Sequence, residues 1–238
     1  MGGYALVMAA VTAFGIPEPL KPEYRQPLRL CHLFANYRRI STDASFIGYT
    51  LTNAAIYGGL FAFLSGASFV LIDVLGVQPE HFGFYFAAIV VGYIAGNLGS
   101  IRLARYLGPD QILFYGLITA LAGGAVMALL AYQQVYSPWA VMIPQAIFMA
   151  GTGLVLPQCM AGALANFPTM AGSASALFGF IQMSAAAIAG AIVGALHNGT
   201  PLVMATVIAT CAGLAMIGYL LLVQRYPAKA FETGKASA

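Results

Sequence analysis

The sequence predicts an all-α membrane protein built on six spanning helices, and three observations predict it. Charged residues make up 7% of the 238 residues and hydrophobic ones 61%, with a mean hydropathy of +0.84. Six apolar segments each approach the ~20 residues that a helix needs to cross a bilayer. The bases, finally, all fall on one side once those segments alternate in direction. A soluble domain carries about 25% charged residues, so this chain has too few to cover a water-facing surface. In lipid, apolar side chains face outward at no cost, but backbone groups still need partners inside each segment, which makes the spans helices.

Taken in order, residues 1–16 are apolar but span only about 24 Å at ~1.5 Å per residue, short of the ~30 Å hydrocarbon core. No basic stretch opens them, as a signal peptide would require, and they read as the remnant of a preceding helix. Residues 17–43 hold four prolines and nearly half of the acids and bases, and form a linker with a short surface helix near 28–37. The spans are expected at 45–64, 82–101, 111–132, 138–156, 172–196 and 202–223, within a membrane domain at 44–226, before a tail at 227–238. Residues 65–78 are apolar around Asp73, and either extend the first span or turn along the interface.

Lys21, Arg25, Arg29, Arg38 and Arg39 precede the first span, Arg102 and Arg105 follow the second, and Arg225, Lys229 and Lys235 follow the sixth. The loops of the opposite side contain no Lys or Arg. By the positive-inside rule the basic side is cytoplasmic. A missed or extra span would scramble this pattern.

An internal repeat is fainter. The second and fifth spans both open on Phe-Gly-Phe and carry Gly-x-x-x-Gly, Gly92 with Gly96 and Gly190 with Gly194. That placement suits two inverted three-helix units, and equally suits close helix packing on small residues.

No ionisable residue lies in mid-span, the usual mark of a functional group inside a membrane. Neutral polar residues are unevenly spread. Tyr49, Asn53 and Tyr57 share a face of the first span; the second has Tyr93 and Asn97, the fourth Gln145 and Thr152, the fifth Ser175 and Gln182. The third and sixth spans lack Asn, Gln and charge in their interiors and look made for lipid. The four polar spans either line an aqueous or ligand cavity or hydrogen-bond to one another, at ~0.6 kcal/mol per pair; the asymmetry among helices favours the cavity. Pro144 and Pro157 fall within and at the end of the fourth span, where proline permits a kink.

An intramembrane serine protease needs a serine and a histidine at one depth. Ser68 and Ser173 are the nearest nucleophiles, but Phe69 stands where a Gly-x-Ser-Gly motif needs glycine, and His197 is at a loop edge. His32 and His81 likewise lie at span ends. Cys31, Cys159 and Cys211 have no metal spacing and read as small apolar fillers. Enzyme chemistry, cofactors and nucleic acid are not expected.

Several stretches resemble the drug:proton antiporters of the major facilitator superfamily, especially the Bcr/CflA drug-resistance branch. They are 63–73 (FLSGASFVLID), 76–83 (GVQPEHFG), the basic loop in 97–108, 156–158 (LPQ), 163–176 and 179–183 (GFIQM). The resemblance covers nearly the whole chain. It implies the C-terminal bundle of such a transporter, with residues 1–16 the end of helix six, 17–43 the central linker and the six spans helices seven to twelve. Helices seven, eight, ten and eleven line the cavity in this family, which assigns Tyr49, Asn53, Tyr57, Tyr93, Asn97, Gln145 and Gln182 to substrate binding. Arg102 and Arg105 are assigned to gating, although Leu103-Ala104-Arg105 replaces the family's Asp-Arg pair. The implied activity is export of small amphipathic drugs across a bacterial inner membrane, with protons moving on a carboxylate of the N-terminal half. Implied partners are that half and membrane lipid, and the implied C-terminus is cytoplasmic. The alternative is a non-transporting membrane fragment or scaffold.

Overall fold

The computed structural model describes Met8 and residues 30–228. The chain divides into two compact units, Met1–Ala35 and Asn36–Ala238, and the spans belong to the second. The remnant at 1–16 apart from Met8, most of the linker at 17–43 and the tail beyond 228 lie outside the described residues. A short helix, α1 (Leu30–Ile40), leads to α2 (Ala44–Ser68), α3 (Pro79–Leu103), α4 (Pro109–Tyr132), α5 (Pro138–Ala165), α6 (Ala171–Ala195) and α7 (Leu202–Gly218). Helices α2 to α7 are long and apolar enough to cross a membrane, and the chain is a multi-pass membrane protein.

Local chemistry starts these helices where it should. Asp43 caps α2, its carboxylate accepting from the Phe46 N–H at 2.8 Å, so a donor left without an intrahelical partner is satisfied. Proline opens α3, α4 and α5, where its missing N–H costs nothing and its fixed φ suits the first turn. At Gly199 the chain takes φ +79, a left-handed conformation natural to glycine, and the turn from α6 to α7 forms beside Asn198, whose side-chain oxygen accepts from the Thr200 hydroxyl at 2.7 Å.

At one boundary the structure selects between two expected readings, and at another it differs from expectation. Of the two readings of residues 65–78, extension of the first span holds as far as Val74: α2 runs to Ser68 and continues through a wide π turn, Phe69–Val74. The fourth span does not stop near residue 156. Pro157 lies inside α5, which continues to Ala165. Proline there leaves the carbonyl four residues back without its helical donor, yet packing on both sides holds the helix together.

The helices alternate in direction. The Gln158 amide near the end of α5 donates to the Ser100 hydroxyl near the end of α3, at 2.9 Å. A Cβ on Gly48, near the start of α2, would meet Leu222, just beyond α7. Arg38, Arg39, Arg102, Arg105 and Arg225 therefore all lie at one end, called here the basic end.

In the packing pattern α2 meets α5, α6 and α7, while α5 meets α2, α3 and α4, and α4 also meets α7. Helices α2, α4, α5 and α7 thus form a central ring, with α3 against α5 and α6 against α2. Exchanging the first three spans for the last three leaves the pattern unchanged, as an inverted repeat requires. The glycine pairs are not equivalent, however. Gly92 and Gly96 both lie against the α5 backbone, the position of a Cβ on Gly92 falling 2.5 Å from the Ala146 carbonyl oxygen. Among the described residues, Gly190 is the glycine of α6 that meets a neighbour, Ser65, and nothing stands near Gly194.

The third span was expected to look outward to lipid. Instead α4 is nearly as enclosed as α2, and α3 and α6 are the least covered spans. An apolar helix surface suits lipid and protein neighbours alike, so lack of polarity does not tell them apart.

Candidate functional site

The predicted polar residues separate into three groups. Tyr49, one turn inside α2 from the basic end, is fully buried and donates its hydroxyl to the Asp110 carboxylate at 2.9 Å. Asp110 opens α4, and its backbone carbonyl accepts from the Tyr219 hydroxyl at 3.3 Å. This cluster ties α2, α4 and the end of α7 together. Asp110 carries no sequence signal for such a role, because its position beside Pro109 reads only as a helix start.

Asn53 and Gln145 form the second group. Both are buried inside the bundle, and among the described residues neither the Asn53 amide nitrogen nor either side-chain polar atom of Gln145 has a hydrogen-bond partner. Most buried polar groups in proteins are paired, so these two stand out, together with the buried hydroxyls of Ser45, Thr50 and Thr52, which also lack a partner among the described residues. Asn53 and Gln145 lie at different depths. Gly59 of α2 is level with the Phe148 ring of α5, which sets Gln145 a little under one turn beyond that level and Asn53 more than a turn and a half on the basic side. The site does not bring them together.

Tyr57, Tyr93, Asn97 and Gln182 are the third group, and all four are half-buried. Gly153 sets the depth of α3, since a Cβ there would fall 2.5 Å from the Tyr93 carbonyl oxygen and 2.8 Å from the Asn97 nitrogen. Gly58 is level with Ala185 of α6. These registers place the four side chains within roughly two turns of one level, at ~5.4 Å per turn. The Tyr57 ring packs 5.0 Å from Phe61, an aromatic neighbour that sequence reasoning did not single out although it lies one turn away. The Asn97 amide reaches the Tyr93 carbonyl at 3.5 Å.

The chemistry available is neutral. Asp73, Glu80, Arg102 and Asp110 stand in the end turns of their helices, leaving the middle of the described spans to tyrosines, amides and hydroxyls. Arg102 and Arg105 are exposed at the basic end. Such a site offers oriented hydrogen bonds and aromatic surface, and no fixed charge.

No family model matches the chain. It is 30% identical over 220 residues to a bicyclomycin resistance protein homolog of Haemophilus influenzae, a match covering 92% of this chain and 55% of that protein. An uncharacterized MFS-type transporter of Bacillus subtilis is 32% identical over 193 residues, 81% of this chain and 47% of that one. Multidrug resistance protein D of Escherichia coli is 23% identical over 179 residues, 75% and 45% respectively. The chain spans about half the length of the curated relatives it matches.

Proposed function

The chain belongs to the major facilitator superfamily, and on that premise we propose that it forms the C-terminal six-helix half of a multidrug efflux transporter. The observation that carries this reading is the uncovered state of α3 and α6. They bear Tyr93, Asn97 and Gln182, at nearly the level of Tyr57. A second six-helix half, from the same or another chain, seated over them would close a neutral, aromatic-rich cavity between the halves. A cavity of that kind suits small amphipathic drugs, which need burial and a few oriented hydrogen bonds. Asn53 and Gln145, with unmet hydrogen-bonding capacity behind this level, complete the assignment of substrate-binding residues.

Drug export is coupled to protons in this reading, by a carboxylate of the N-terminal half, because the middle of the described spans holds tyrosines, amides and hydroxyls and no carboxylate. The basic end is cytoplasmic, in a bacterial inner membrane, with the C-terminus on the same side. Arg102 and Arg105 stand at the cytoplasmic mouth as gating residues.

The test is expression in a drug-hypersensitive bacterial host. The chain alone is expected to confer no resistance, and co-expression with the N-terminal half of the bicyclomycin resistance homolog to restore it. Proton-dependent efflux by the purified chain alone would refute the half-transporter reading in favour of an active homodimer. Failure of every pairing to restore resistance would leave a membrane scaffold.

A further inference from the structure

A groove runs along the outside of α2, α6 and α7, with a volume of about 760 Å³. Its floor is made of small residues, Ala54, Ala55 and Gly58 of α2, Ala189 of α6 and Cys211 of α7. Large side chains stand beside it: Leu51 is 47% exposed, Ile188 61% and Leu214 56%. Small residues below and large ones beside them make a channel, not a flat face. Thr206 and Thr210 also line it, but their hydroxyls donate to carbonyls one turn back, at 2.8 Å to Leu202 and 2.7 Å to Thr206. The groove therefore offers an occupant hydrocarbon contact and no unspent donor.

Its length and one end say more. From Leu221 to Val207 it follows α7 and the π turn that continues it, Tyr219–Val223, for roughly 20 Å, longer than the ~15 Å half-thickness of the hydrocarbon core. Four residues beyond Leu221 stands Arg225, exposed and without a hydrogen bond or ion pair to its side chain among the described residues. Arg225 shares the basic end with the four other described arginines, but it alone of these follows directly on the groove.

We propose that this groove binds an acyl chain of an anionic phospholipid, whose phosphate pairs with Arg225. The planar guanidinium presents paired donors that match phosphate oxygens, and the apolar channel holds the chain in the leaflet at the basic end. A zwitterionic lipid brings the same chain, so the headgroup preference isolates Arg225 and the crosslinked position isolates the groove. Free phosphate lacks the chain and does not compete.

The experiment reconstitutes the full chain in phosphatidylcholine vesicles containing a trace of phosphatidylglycerol or phosphatidylcholine with a photoactivatable group on one acyl chain. Crosslinked peptides are then mapped by mass spectrometry. Crosslinks are expected to concentrate on the groove-lining stretches of α2, α6 and α7. Phosphatidylglycerol should exceed phosphatidylcholine there about fivefold, the ratio equivalent to about 1 kcal/mol for one base near an anionic surface. Arg225→Gln should bring the ratio towards one, Arg105→Gln should leave it, and inorganic phosphate should not reduce the yield. Ala55→Trp, which fills the floor, should remove the groove crosslinks; Cys211→Phe replaces it if that variant does not fold. Crosslinks spread evenly over all spans, equal yields for the two lipids, or a preference unmoved by Arg225→Gln would each overturn the proposal.

Discussion

At the scale of single residues, Tyr49 and Gln145 look alike in sequence, as polar side chains in apolar spans, and behave differently in the fold. Tyr49 gives its hydroxyl to Asp110. Tyr49→Phe removes that bond while keeping the ring, and a hydrogen bond to a charged group is worth about 1.5–3 kcal/mol. The thermal unfolding midpoint of the detergent-purified chain should fall accordingly. The readout is the reaction of a maleimide dye with Cys159, which is fully buried, in a background where Cys31 and Cys211 are serine. Gln145 has no partner for either side-chain polar atom among the described residues. Gln145→Leu keeps the size and removes an unmet desolvation cost of about 1–3 kcal/mol, so the midpoint should rise. In the complete transporter the same substitution should lower drug efflux, the mark of a residue retained for function at the expense of stability. A rise in midpoint with efflux unchanged would remove Gln145 from the binding set.

At the scale of elements, α3 is held to α5 by backbone contact. A Cβ on Gly96 would run into the Ala150 carbonyl, whereas one on Gly99 would lie 3.7 Å from a Leu154 methyl. Backbone cannot swing aside as a side chain can. Gly96→Ala should therefore destabilise the bundle by about 1–3 kcal/mol, the usual range for overpacking, despite alanine's better helix propensity. Gly99→Ala should be neutral or stabilise by up to about 1 kcal/mol, the propensity difference alone. The two thermal midpoints, compared with the parent, decide it. Equal effects at the two glycines would mean that α3 is free to pull away from α5.

The whole molecule has two distinct ends and a two-fold pattern of packing. If the basic end is cytoplasmic, single cysteines at Gln134 and Asn198 should react with an impermeant maleimide on intact cells, and cysteines at Arg102 and Arg225 should react only after permeabilisation. Labelling at position 102 with silence at 134 would invert the orientation and move the gating arginines to the outer mouth. The exposed faces of α3 and α6 make a further prediction at this scale. Co-expression with a matching N-terminal half should protect a cysteine placed at Gln182 from a membrane-permeant maleimide, while Thr119 on α4 keeps its reactivity. Protection at both positions or at neither would remove the closing half from the face assigned to it.

The number of spans, their direction and their separation into polar and apolar helices were legible in the sequence. They depend on which residues tolerate hydrocarbon and on where bases collect, both properties of composition along the chain. The resemblance to a transporter family was likewise carried by short stretches of residues such as FLSGASFVLID, and the relatives bear it out. Only the tertiary structure decided who is enclosed by whom. Periodicity puts Tyr49, Asn53 and Tyr57 on one face of α2, yet the bundle buries the first two and leaves the third half open. The apolar third span proved central because lipid and protein interiors are equally apolar, and helix propensity does not say which of them a face will meet. The partner of Tyr49 lies 61 residues away, and the groove beside Arg225 is shared by three helices. Contacts of this kind arise from the register between helices, which is set by packing across the bundle and leaves no trace in the order of residues along any one of them.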